Sequence, residues 1–176
     1  MYGPPGHLYV YFTYGMHFCA NVVCGPGLIA GAVLLRALAP IRGIEEMQAA
    51  RHRAAAGDRA AAGDPPLVAG AALVTAGPPV AVDRLGSGPA LFCRVLGIDR
   101  SFDGADLVTG DRGVRILDDG HAPPDEPATG ARVGLSDRVG EAAWLPWRFW
   151  VPGDPHVSRG PRNAPKPSAG APVGEA

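Results

Sequence analysis

The chain has 176 residues, 25 of them glycine and 19 proline, with a formal net charge of −1. That length suffices for one domain with a real core and is short for two. The near-neutral balance argues against a protein that grips nucleic acid by bulk positive charge, although a local arginine stripe could still do so. Three cysteines without short paired spacing argue against a disulfide framework. Cys19 and Cys24 lack the partners that a zinc site needs, so the thiols read as buried and reduced. The residues after Met1 do not form a basic and then apolar leader. The apolar stretches 27–35 and 67–82 are too short, or too broken by Gly and Pro, to span a bilayer. The expectation is a soluble, cytoplasmic protein.

In chain order, Leu8–Thr13 reads as a strand, with Leu8, Val10 and Phe12 on one face and Tyr9, Tyr11 and Thr13 on the other. Tyr14-Gly15 is the turn, where Gly15 can supply a positive φ, and residues 16–23 return as a second strand. Residues 30–38 form a third, apolar strand interrupted by Arg36 and ended by Pro40. Helical spacing follows over 43–56, with Ile44, Met47 and Ala50 on one side. The Ala/Gly/Pro-rich stretch 58–82 reads as an irregular insertion. Ser87-Gly88-Pro89 starts a helix through Leu96, with Ser87 as the capping hydroxyl and Gly97 as the stop. Residues 114–117, 131–135 and 148–151 look like short strands, and Trp144, Trp147 and Trp150 like core or hinge packing. Residues 159–176 have almost nothing to bury and should be disordered.

Few residues could carry chemistry. Tyr14, a large aromatic at a turn tip, would suit a wedge that unstacks or replaces a base. Tyr9 and Tyr11 on one face could wall a flat ring and attract it by cation–π contact if it is cationic; the same alternation also serves plain sheet packing. Asn21 and Arg36 are polar intrusions into apolar strands and need partners or a cleft. For Arg36 a structural ion pair and a ligand site remain equally open. No Gly-x-Ser-x-Gly or His-Glu-x-x-His motif occurs, and residues 25–27 are not a dinucleotide loop. His7 and His17 have no metal-ligand company. No metal or cofactor is expected.

The opening block MYGPPGHLYVYFTYGMHFCANVV, residues 1–23, closely resembles the core motif of the alkyladenine (3-methyladenine) DNA glycosylase family. The likeness continues through AVLLRALAP at 32–40, Gly88-Pro89 with CRVLGI at 93–98, ARVGL at 131–135, WRF at 147–149 and Val157-Ser158. It implies one mixed α/β (α+β) domain over 1–158, a curved antiparallel sheet with surrounding helices and a protruding DNA-intercalating hairpin. It also implies a monomer that acts on damaged double-stranded DNA in the bacterial nucleoid and hydrolyses the N-glycosidic bond of alkylated purines. By the same resemblance Tyr14 plugs the gap left by the flipped nucleotide, Tyr11 stacks on the base, and Asn21 disfavours the exocyclic amine of guanine. Arg36 lies beside the attacking water, and the main chain of Val133 contacts it.

Two features depart from the family pattern. The family's general-base glutamate belongs to a segment upstream of this motif, with a further pocket tyrosine and a histidine, and Met1 matches an internal methionine. The expectation is therefore a sequence that continues upstream. The alternatives are an inactive relative that binds lesions without releasing a base, and a fragment that does not fold. The second departure is Leu91, where the family usually carries a lysine near the DNA backbone.

Overall fold

The computed structural model describes residues 1–26, 29–57, 78–135, 137–158 and 160. Most of the expected insertion 58–82 and all of the expected tail except Gly160 lie outside the described residues. Among the described residues the architecture is mixed α/β, with two α-helices and two antiparallel sheets. The chain divides into two compact units, Met1–Asp119 and Gly120–Ala176.

The first unit is built on strands β1 (Leu8–Thr13), β2 (His17–Val23) and β3 (Ala32–Leu34) in the order β1-β2-β3. Alternation in β1 buries Leu8 and Val10 on one face. Ala20 of β2 joins them, and Phe92, Cys93, Ile98, Ala105 and Leu107 close the core. Phe12 continues that face but is exposed and packs on Phe18, with ring centroids 4.9 Å apart. The core thus ends before the turn.

Helix α1 (Ile44–Gly57) sends Met47 into a second cluster with Leu85 and Val95. Helix α2 (Pro89–Leu96) buries Phe92, Cys93 and Val95. The cap of α2 differs from expectation. Gly88, at φ 127°, is the N-cap, and the Ser87 hydroxyl is buried with no hydrogen-bond partner among the described residues. The Gly88 N–H donates instead to the Arg36 carbonyl at 2.8 Å, so the helix start is tied to the segment after β3. Gly97 ends the helix at φ 66° as expected. Gly86 is required by space, since a Cβ there would lie 2.5 Å from Leu38 Cγ.

β3 is shorter than the expected 30–38. Leu35 and Leu38 turn into the cores, and the Arg36 carbonyl is taken by Gly88. Residues 114–117 form no strand; the Ile116 N–H bonds back to the Leu107 carbonyl at 3.0 Å.

The second unit contains β4 (Ala128–Gly130) paired antiparallel with β5 (Arg148–Trp150). The strand expected at 131–135 instead lies at 128–130, and Gly134 at φ 79° turns the chain where that strand would run. Arg148 is only 5% exposed, its guanidinium 4.5 Å from the centre of the Trp150 ring and bonded to the Ser158 carbonyl. Trp144 and Trp147 are not core: they are 60% and 57% exposed.

Candidate functional site

The face of β1 opposite the core carries Tyr9 and Tyr11. Strand register places Asn21 opposite Tyr9 and Cys19 opposite Tyr11. Leu34 pairs with Asn21, so it lies on the same face. A hydrogen bond from the Leu35 N–H to the Ala20 carbonyl, at 3.0 Å, carries this ladder one residue beyond β3. Leu35 packs into the core. Arg36 follows Leu35, past the last paired residue of β3. β1 and β2 thus contribute Tyr9, Tyr11, Cys19 and Asn21 to one surface, which the spacing of these residues in the sequence alone does not reveal.

The two tyrosine rings are stacked, with centroids 5.6 Å apart and planes 22° from parallel. Burial, followed by the neighbouring Cys19, pushes the Tyr11 phenol up to about 12. The ring stays neutral and hydroxyl-bearing across the physiological range, and a neutral, electron-rich face suits a flat cationic ligand. Cys19 is buried, which raises its thiol, while the hydrogen bond from Tyr11 acts in the opposite direction. From the sequence alone Cys19 reads as a buried, reduced thiol. Its contact with the pocket tyrosine becomes visible only through the cross-strand register.

Asn21 is 7% exposed and donates through Nδ2 to the Tyr9 carbonyl at 3.4 Å. Anchoring of that kind holds the amide at a fixed angle beside the rings. Arg36 is half-buried and lies past the end of β3, not inside a strand as expected.

Tyr14 sits at the hairpin tip. The Thr13 carbonyl accepts from the Met16 N–H at 3.0 Å, closing a turn in which Tyr14 (φ 51°) and Gly15 (φ 65°) both have positive φ. Glycine takes that conformation freely, whereas in a tyrosine it costs about 1–2 kcal/mol. Tyr14 is also 77% exposed. A strained backbone combined with an exposed aromatic gives the fold nothing, and such outliers gather where a residue has work outside the core.

Val133 belongs to the second unit. It is exposed and stands between Arg132 and Gly134 in the bend after β4. Arg132 lies 5.2 Å from the centre of the Trp147 ring and donates to the Ala142 carbonyl at 3.0 Å, which fixes the chain entering that bend.

Cys24 is exposed, contrary to the expectation that all three thiols are buried, whereas Cys19 and Cys93 are buried. Among the described residues no three His, Cys, Asp or Glu side chains gather as a metal site, and no helix is long and apolar enough to cross a membrane.

Comparison with known proteins gives a consistent picture. The sequence profile of the methylpurine-DNA glycosylase family matches residues 1–155. A protein of Burkholderia lata named "Putative 3-methyladenine DNA glycosylase" is 46% identical over 159 residues, covering 90% of this chain and 62% of the relative. Proteins of the same name from Streptomyces avermitilis and Mycobacterium tuberculosis are each 38% identical. The first match covers 90% of this chain and 62% of the relative, the second 97% and 68%. The chain thus spans less than two thirds of the length of the Burkholderia and Streptomyces relatives.

Proposed function

Because the chain belongs to the methylpurine-DNA glycosylase family, we propose that it takes part in base excision repair by hydrolysing the N-glycosidic bond of alkylated purines, such as 3-methyladenine, in duplex DNA. The observation that carries this reading is the single face on which the stacked Tyr9–Tyr11 pair adjoins the buried amide of Asn21, one turn from the strained, exposed Tyr14.

Each residue has a physical task. Tyr14 enters the duplex and fills the space of the extruded nucleotide, which offsets part of the cost of unstacking. The purine then lies against Tyr11. An N-alkylated purine carries positive charge, and contact with the tyrosine face favours it over a neutral purine by about 0.5–2 kcal/mol. Asn21 presents its anchored amide to the ring edge and disfavours a guanine amino group. Arg36 holds the attacking water.

In the chemical step, water oxygen bonds to C1′ of the sugar as the bond from C1′ to the purine nitrogen breaks. The bonding pair leaves with the purine, which becomes neutral, and the water gives up a proton. Alkylation has already made the base a good leaving group, so the protein chiefly needs to orient water and support charge at the sugar. We assign no residue of this sequence as the general base. The setting is cytoplasmic, at the bacterial nucleoid, with a monomer acting on damaged double-stranded DNA over a 1–158 domain.

The test is release of 3-methyladenine from methylated duplex DNA, read by chromatography of the freed base. Release by the protein, abolished by Tyr11→Ala and Arg36→Ala, is the expected result. Tight binding of the methylated duplex without release would overturn the hydrolytic reading in favour of an inactive lesion binder.

A further inference from the structure

β1 lies at the edge of its sheet, and an edge strand must place its outward N–H and C=O groups somewhere. Leu8 uses main-chain partners: its N–H donates to the Ala105 carbonyl at 2.8 Å, and its carbonyl accepts from the Gly104 N–H at 2.8 Å. Val10, the next outward residue, uses side chains for both groups. Its N–H donates to Asp103 Oδ1 at 2.9 Å, and its carbonyl accepts from Arg100 Nη1 at 3.0 Å.

Val10 is the residue between Tyr9 and Tyr11. Its N–H belongs to the peptide plane that joins it to Tyr9, and its carbonyl to the plane that joins it to Tyr11. The far Cα of each plane is the atom that bears a tyrosine side chain. Asp103 and Arg100 therefore hold the two planes from which the stacked rings project. Their own segment is braced in turn. Arg112 Nη1 donates to the carbonyls of Ser101, at 2.6 Å, and Asp103, at 2.7 Å. Asp99 Oδ1 accepts from the Ser101 N–H at 2.9 Å and from its hydroxyl at 2.6 Å.

We propose that Asp103 and Arg100 are positioning residues for base recognition, a side-chain clip on the edge of β1 that sets the angle and spacing of Tyr9 and Tyr11. The link to recognition rests on the reading of this face as a purine pocket; the aiming of the rings does not. Both bond the main chain of Val10, and both lie about ninety positions away in sequence.

The test compares Asp103→Ala with Asp103→Asn, which keeps Oδ1 as acceptor, and Arg100→Met with Arg100→Lys, which keeps a donor. Two quantities are measured on the full chain: the near-ultraviolet circular dichroism of the tyrosine pair, and binding of free 3-methyladenine by tyrosine fluorescence. Asp103→Ala and Arg100→Met are expected to lose the tyrosine signature and to bind the base about tenfold more weakly, the scale of one well-placed hydrogen bond. Asp103→Asn and Arg100→Lys are expected to restore both.

A signature that survives both deletions would overturn the proposal and leave the clip as a plain edge seal. Loss without rescue by the conservative variants would overturn it as well. If Asp103→Ala does not fold, the Arg100 pair decides by the same two readings. Failure of the unaltered protein to bind 3-methyladenine would count against the purine pocket, and the circular dichroism would still decide whether the clip aims the rings.

Discussion

Tyr11 and Cys19 face each other across the β1–β2 pair, and after burial the Cys19 thiol is the next cause that raises the Tyr11 phenol. Cys19 thus acts on a pocket ring, a role that its own burial would not suggest. Because the phenol is raised to about 12, the folded protein holds that proton more tightly than an unfolded chain does, where a tyrosine titrates near 10. Stability from this group is complete below about pH 10 and falls as pH rises toward about 12. An absorbance titration should show one of the four tyrosines ionising well after the others. Cys19→Ala should move that step, and a single alkaline transition for all four would refute the arrangement.

Tyr14→Gly separates fold from function. Glycine relieves the left-handed strain of about 1–2 kcal/mol but adds about 0.5–1 kcal/mol of unfolded-state freedom. The melting temperature should therefore hold steady or rise slightly. Affinity for a methylated duplex should fall about tenfold or more, the value of one lost stacking contact. A clear drop in melting temperature would mean that the tyrosine supports the turn.

Asn21→Leu and Asn21→Ala should part company. The amide is buried and bonded to the Tyr9 carbonyl, so Ala removes that bond and leaves a gap at a cost of about 1–3 kcal/mol. Leu fills the space and should cost less. Both should release guanine from unmodified DNA more readily relative to 3-methyladenine, measured as a ratio of initial rates. An unchanged ratio would remove Asn21 from the specificity account.

Arg148 offers a check on the second unit. Its Nε is buried without a hydrogen-bond partner among the described residues, and burial lowers the affinity of the guanidinium for its proton. Arg148→Met keeps the bulk against Trp150 and removes a buried charge, whereas Arg148→Ala removes both. Denaturant midpoints should show Ala as the more damaging by about 1–3 kcal/mol. Equal losses would show that the Ser158 contact dominates.

Local patterns announced the first unit well. β1 was legible because Leu8, Tyr9, Val10 and Tyr11 alternate without a break, and α2 because Pro89 and Gly97 bracket an apolar run. Where tertiary partners intervened, pattern failed. The apolar run after Ala32 suggested a long strand, yet Leu35 and Leu38 serve two cores and the ladder stops. Residues 131–135 looked extended until Gly134 turned them. Trp144 and Trp147, which flank a late strand, read as core or hinge packing and stand exposed. For the site, the likeness of residues 1–23 to a known family pointed to Tyr11, Tyr14 and Asn21. Asp103 and Arg100 left no local signal, because their partner is Val10, on the other side of two helices in sequence.

The burial of Cys19 and Cys93 has a chemical consequence. Under the proposed function the protein meets the same electrophiles that methylate DNA, and the nucleophile they attack in a protein is thiolate. Burial pushes the Cys93 thiol up to about 12 and raises Cys19 as well, so neither offers much thiolate at neutral pH. Cys24 alone is exposed. The fold thus shields the thiol beside its tyrosine wall and leaves Cys24 as the accessible one.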